Sequence, residues 1–209
     1  MKSSLWAIAS VLALAAPSAA QTNEDLAIRP FALATVQAFT AADTFDAVFG
    51  RIYQPFLGGG VQVIVDGTYV VELTASRFTQ TGERAFISNG QKFRLGIPLT
   101  ATVTPLEATA GYRFKYSPRV RPYAAAGAGI YLYKETSDFS ESAEDVDSRH
   151  VGFVANGGAE FRVSRWVGIC VDAQYTRVPG ILGRSGVSQQ AGDNDLGGIA
   201  GRVRVVVGR

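Results

Sequence analysis

The sequence predicts an all-β fold, an eight-stranded antiparallel up-and-down transmembrane β-barrel behind a cleaved signal peptide. Three observations predict it. Six segments alternate apolar with small or polar residues at period two, the pattern of strands that turn one face to an apolar medium. The connections between segments alternate strictly between short and long. Beyond residue 20 no apolar run reaches helix length, so an exported chain of this kind can cross a membrane only through strands.

The first twenty residues carry the export signal. Lys2 supplies a basic start, residues 5–16 an apolar core too short for the roughly 20 residues of a spanning helix, and Ser18-Ala19-Ala20 the small residues before Gln21. Residues 1–20 are therefore read as signal peptide and 21–209 as one barrel domain. A prior of about 100–200 residues per domain leaves little room for a second, and neither a linker nor a repeat divides the remainder.

The strands follow in order. The first, 29–39, is apolar on both faces. In the second, Val61, Val63 and Val65 alternate with Gln62, Ile64 and Asp66, and Asp66-Gly67 forms a tight hairpin turn into the third. There Val71, Leu73 and Ala75 alternate with Glu72, Thr74 and Ser76. Segments 84–87 and 91–95 flank Ser88-Asn89-Gly90 as a further hairpin, so strands three and four are expected to project beyond the membrane. The fourth sets Leu106, Ala108, Ala110, Tyr112 and Phe114 against Glu107, Thr109, Gly111 and Arg113, with a kink or bulge expected at Pro105. Residues 121–133, the fifth, have small residues on both faces.

The sixth places Val151, Phe153, Ala155, Ala159, Phe161 and Val163 opposite Gly152, Asn156, Gly158, Glu160 and Arg162. The seventh places Val167, Ile169, Val171, Ala173 and Tyr175 opposite Gly168, Cys170, Asp172, Gln174 and Thr176, and the eighth Ile199, Val203, Val205 and Val207 opposite Gly198, Ala200, Arg202 and Arg204. Taking 97–114 as one strand makes the short connections 66–67, 116–119 and 164–165, and the long ones 40–56, the region around 89–90, 135–149 and 178–195. Short turns on one side and long loops on the other, with both termini on the short-turn side, are the layout of outer-membrane barrels.

Composition agrees. Twenty-three glycines and one methionine accompany many Val, Ala, Thr and Tyr, a bias toward strands. A net charge of +2 gives no reason to expect nucleic acid. Cys170 is the only cysteine, so no internal disulfide forms.

Gly111-Tyr112-Arg113-Phe114, Arg121-Pro122-Tyr123 followed by residues 124–129, and Gly157-Gly158-Ala159-Glu160-Phe161 resemble the small OmpA/OmpX-like outer-membrane proteins, and more loosely the outer-membrane β-barrel domain proteins of Gram-negative bacteria. The resemblance covers about the whole chain after residue 20 by pattern. It implies an eight-stranded up-and-down barrel inserted by the barrel-assembly machinery into the outer membrane, after export through the Sec pathway. Such proteins commonly end in an aromatic residue, whereas this sequence ends Val205-Val206-Val207-Gly208-Arg209.

An eight-stranded barrel is just wide enough to be filled by its own side chains. The inward set assigned by alternation is Glu72, Glu107, Glu160 and Asp172 with Arg113, Arg121, Arg162, Arg202 and Arg204, a near-balance expected to form compensating ion pairs. The predicted role is non-enzymatic, structural or surface-interacting, with outer-membrane lipid and lipopolysaccharide around the barrel and loops free to take an extracellular ligand. No cofactor is predicted. His150 and Cys170 are the only imidazole and thiol and fall on different strands, which argues against a metal site.

Three alternatives stay open at this level. The same charged groups could line a narrow pore. Ser148 and His150 beside Asp147, at a strand start on the loop side, could form the rim site of a lipid A-modifying hydrolase, although a nucleophile needs its base within hydrogen-bond reach. A soluble periplasmic ligand-binding barrel would turn the Val61/Val63/Val65 face inward and Glu107 and Arg113 outward. The acidic residues Glu135, Asp138, Glu141, Glu144, Asp145 and Asp147 read as a solvated loop lacking calcium-loop spacing. The glycines at 58–60 and 127–129 fit close strand packing, and Tyr112, Phe114, Tyr123, Tyr131, Tyr133, Trp166 and Tyr175 are expected in aromatic girdles.

Overall fold

The structure is a computed structural model that describes residues 26–88, 91–137, 146–183 and 186–208. Residues 1–20, Asn89-Gly90 and most of the acidic loop lie outside the described residues. Among the described residues there are eight strands and two short helices: β1 (Leu26–Phe39), α1 (Ala42–Phe49), β2 (Tyr53–Val65), β3 (Tyr69–Ser88), β4 (Gln91–Arg113), β5 (Val120–Ser137), β6 (Val146–Arg162), β7 (Val167–Arg177), α2 (Gly186–Ala191) and β8 (Gly198–Val207). Each strand pairs antiparallel with the next, and β1 pairs with β8 from Phe31↔Val206 to Phe39↔Gly198, closing the ring. Closure pairs every strand on both sides and leaves no open edge.

The side-chain alternation becomes an outside and an inside. Val36, Leu57, Leu73, Leu106, Phe153, Val171, Ile199 and Val203 are exposed around the whole circumference. A continuous apolar band of this extent far exceeds the few hundred Å² normal on a soluble monomer and requires a hydrocarbon surrounding. Glu107 and Arg113 are buried, the sidedness opposite to that of a soluble ligand-binding barrel. No helix among the described residues is long and apolar enough to cross a membrane.

At the short-turn end, Tyr69 and Tyr112 meet edge to face at 5.8 Å and Tyr112 and Phe114 at 5.0 Å, and Trp166 is exposed in the β6–β7 turn at the same end. These fit the girdle. Tyr123, Tyr131 and Tyr133 do not, because the parity of β5 turns them inward and leaves Ala124, Ala126, Ala128, Ile130 and Leu132 for the outer face. Small residues do stand on both faces of β5, Ala124, Ala126 and Ala128 outside and Ala125, Gly127 and Gly129 inside, with tyrosines at both ends of the inner row.

The β2–β3 turn has φ of 52° at Asp66 and 63° at Gly67, and the Thr68 amide donates to the Val65 carbonyl at 3.0 Å, the geometry of a type I′ turn. A Cβ on Gly67 would meet nothing within 4 Å, so only backbone conformation resists substitution. Gly67→Ala is expected to cost about 1 kcal/mol, read as a lowered urea midpoint of the refolded barrel.

At Pro105, which has no N–H to donate, the β3–β4 ladder is interrupted: its pairs skip from Ala75↔Leu106 to Phe78↔Val103 without a change of register, while Pro105 stays opposite Tyr131 on β5. The register itself shifts farther along, between Glu83 and Ala85. There Gly96, at φ 69°, absorbs the extra residues of β4. Beyond this shift the hairpin continues to Ser88↔Gln91.

Candidate functional site

The inner half nearest the short turns is charged. Arg29 on β1 grips Glu160 on β6 with both terminal guanidinium nitrogens, Nη2 at 2.6 and Nη1 at 3.1 Å, and Arg113 on β4 donates to the same carboxylate at 2.5 Å. A second chain begins at Glu72 on β3, which accepts from Gln62 at 2.7 Å and from Arg204 on β8 at 2.5 Å. Arg204 also donates to the Tyr123 hydroxyl and lies 3.1 Å from Asp172. Asp172 accepts from Tyr123 and Arg202, Arg202 donates to Gln174, and Gln174 donates to Glu107 at 3.1 Å. Tyr131 completes the chain by donating to Glu107 at 2.6 Å. The Arg204 guanidinium is sandwiched by the rings of Phe31 and Tyr123, 5.2 and 5.3 Å from their centroids.

Among the described residues four arginines (29, 113, 202, 204) and four carboxylates (72, 107, 160, 172) are buried. Equal numbers matter here because an unpaired charge in such an interior costs several kcal/mol. Period two makes the network possible: each strand offers an inward position every second residue, so charged residues of six strands converge on one layer without any loop contribution.

Toward the long loops the interior turns apolar. Phe39, Phe45, Phe56, Phe78, Val103, Val178, Ile181 and Leu196 form one buried cluster. Phe39 stacks on Phe45 of α1 at 3.9 Å, and Phe78 takes Phe56 at 5.4 Å and Phe49 edge-on at 6.1 Å. Polar ties hold this cap in place. Thr44 donates its amide and hydroxyl to Asp193, Asp195 accepts the amides of Val178 and Gly197 at 2.7 Å each, and Gln190 of α2 accepts the Ile87 amide. Lys92 on the hairpin reaches Asp46 at 2.8 Å and Asp43 at 3.1 Å, while Arg94 donates to the carbonyls of Asp46 and Ala47 at the end of α1. The hydrogen bond from Lys92 holds the Asp46 carboxyl below its ordinary range, and that same bond holds the Lys92 ammonium above its own.

A closed ring of eight antiparallel strands, an apolar outer band and a charged interior describe a membrane barrel, and the model of one family, the outer membrane protein beta-barrel domain, matches residues 6–200. The chain belongs to that family. Membership places this outer-membrane barrel in a Gram-negative bacterium. No curated protein matches the sequence. Among solved structures it is similar to the attachment invasion locus protein Ail of Yersinia pestis (14% identity, 88% of this chain and 97% of that one, TM-score 0.49) and to the N-terminal β-barrel domain of Pseudomonas aeruginosa OprF (11%, 88% and 97%, 0.48). It is also similar to Neisserial surface protein A (12%, 88% and 95%, 0.47).

Within this outer-membrane barrel, Glu72, Glu107, Arg113, Glu160, Asp172, Arg202 and Arg204 come together in the buried layer. Arg121 is half-buried, opposite Glu160 in register. Arg162 is exposed: it shares the face of Glu160 but is the last residue of β6, where the barrel opens to water. Arg29 belongs to the layer and was missed, because a first strand apolar on both faces conceals its parity. Thr35 and Gln37, at even spacing from Arg29, carried the signal. The helices were missed too, although Phe45, Val48 and Phe49 stand at helical spacing within the first long loop.

Cys170 is fully buried. No group of three His, Cys, Asp or Glu residues among the described residues is arranged to hold a metal. Ser148 and His150 share one face of β6 and Asp147 lies on the other, exposed. Among the described residues the Ser148 hydroxyl makes no hydrogen bond, so Ser148, His150 and Asp147 do not form a triad.

Proposed function

We propose that this protein is a non-enzymatic outer-membrane barrel with a structural or surface-interaction role, its interior plugged. What supports the reading is what occupies the interior: ion-paired arginines and carboxylates toward the short turns, and an aromatic cluster packed with α1 and the β7–β8 loop toward the long ones. A ring of eight strands leaves room for little else. The loop side then presents the interacting surface, lipopolysaccharide and other outer-membrane lipid surround the band, and no cofactor takes part. Export by the signal at residues 1–20 through the Sec pathway and insertion by the barrel-assembly machinery belong to the same proposal.

Planar bilayers test the plug. Refolded protein is expected to give no discrete conductance steps, because a path for ions would have to break the Arg204–Glu72 and Arg202–Asp172 pairs. Reproducible single-channel steps from the intact chain would overturn it. Asp147 lies on the opposite face of β6 from Ser148 and His150, and the Ser148 hydroxyl has no hydrogen-bonded base among the described residues, so lipopolysaccharide incubated with the protein is expected to keep its acyl chains.

A further inference from the structure

We propose that the outer face of β3–β6 is a docking site for a phosphorylated, multiply acylated glycolipid, the lipid A anchor of lipopolysaccharide. This rests on the reading of the band as outer-membrane and of the long connections as external. Within the band an open apolar groove of about 650 Å³ runs across these strands and reaches β2, lined by the small residues Gly59, Ala75, Ala108 and Ala128 together with Leu73, Leu106 and Val151. A second groove of about 380 Å³ adjoins it and shares Ala128 and Val151. Two joined furrows suit a ligand with several acyl chains better than a single chain.

Charge follows directly above the grooves, on the side of the long loops. Two residues along from Ala75 stands Arg77, four along from Ile130 stands Lys134, and two back from Val151 stands Arg149, all exposed. At about 3.3 Å per residue, these cations lie roughly 7 to 13 Å beyond the groove, at the level of a headgroup. Hydroxyls fill the space between them. Thr79 bonds Thr102 at 3.2 Å and accepts from Arg77 Nε at 3.3 Å, Thr81 bonds Thr100 at 2.9 Å, and Thr102 stands opposite Lys134 in register. Among the described residues the acids in this arc are Asp147, opposite Lys134 on β6, and Glu83, farther out on β3. Three cations from three strands, set over threonine hydroxyls and an apolar floor, complement two phosphates on a sugar core whose acyl chains run into the membrane.

Native mass spectrometry of the intact refolded chain tests this with three probes: lipid A, its dephosphorylated form, and inorganic pyrophosphate. The wild type is expected to retain lipid A at least about tenfold better than the dephosphorylated form. Combined Arg77→Ala, Lys134→Ala and Arg149→Ala is expected to abolish that preference, while Ala108→Leu with Ala128→Leu lowers retention of both lipids. All five side chains point away from the interior network, and heat-modifiable gel migration reports folding of each variant separately. Equal retention of the two lipids by the wild type, or unchanged retention by the triple variant, would overturn the proposal. So would pyrophosphate held as firmly as lipid A, since the groove would then contribute nothing. Bilayer conductance is a separate readout, so failure of the plug and failure of the docking site are distinguishable.

Discussion

Arg204→Met is expected to destabilise the barrel by about 3–5 kcal/mol, seen as a lowered urea midpoint of protein refolded into lipid vesicles. Arg204 is buried to 1% exposure and serves Glu72, Asp172 and Tyr123 at once. Methionine keeps much of the volume and the apolar stem but leaves two carboxylates facing each other's neighbourhood without their shared cation. The burial of charge, not loss of packing, is then the dominant cost. A double variant that also carries Glu72→Gln is expected to recover part of the loss, because one of the stranded charges is gone, and the cycle measures the coupling. Arg162→Met, exposed at the mouth, is expected to change the midpoint little. Equal effects at 204 and 162 would show that the interior charges are solvated and the layer is not a closed network.

Phe78→Ala is expected to cost about 3–5 kcal/mol by the same measurement. Phe78 is 2% exposed and touches Phe39, Phe49 and Phe56, so its removal opens a cavity in the layer that joins the barrel wall to α1. Phe86 gives the contrast. It stacks on Phe93 at 5.0 Å on the outside of the projecting hairpin, and both rings are exposed, so Phe86→Ala is expected to cost at most about 1 kcal/mol. A small effect at Phe78 would mean that the cap contributes nothing to the stability of the wall.

What the sequence made legible is what period two encodes. Val61 to Val65, Leu106 to Tyr112 and Val167 to Tyr175 announce both strand and sidedness, and from sidedness the inward positions of Glu72, Arg113, Asp172 and Arg204 follow. The alternation of connection lengths, with 97–114 taken as one strand, then fixes eight strands. Alternation fails where both faces carry the same kind of side chain. In β1, Phe31 and Leu33 point inward beside an outward apolar row, which hid Arg29; in β5, the inward tyrosines look like girdle residues until their hydroxyls are seen to meet Asp172, Glu107 and Glu135. Burial at the ends also escapes parity. Arg162 has the right face and the wrong height, and height depends on register between strands, which no single strand records. The apolar upper layer was illegible for a related reason: it is assembled from Phe39, Phe56 and Phe78 on three strands and completed by side chains of a helix and a distant loop.

The pairing of β1 with β8 carries a consequence for how the molecule is made. These two strands are neighbours in space and among the most distant in sequence, so the last ladder of the ring, from Phe31↔Val206 to Phe39↔Gly198, spans nearly the whole chain. Contacts of such long separation impose a heavy loop-closure entropy and slow folding. Until β8 has emerged, every partial sheet ends in two unsatisfied strands, each a template for a foreign strand. Assembly is therefore all-or-nothing at its final step, and the time spent unzipped, more than the strength of the finished wall, sets the chain's exposure to aggregation.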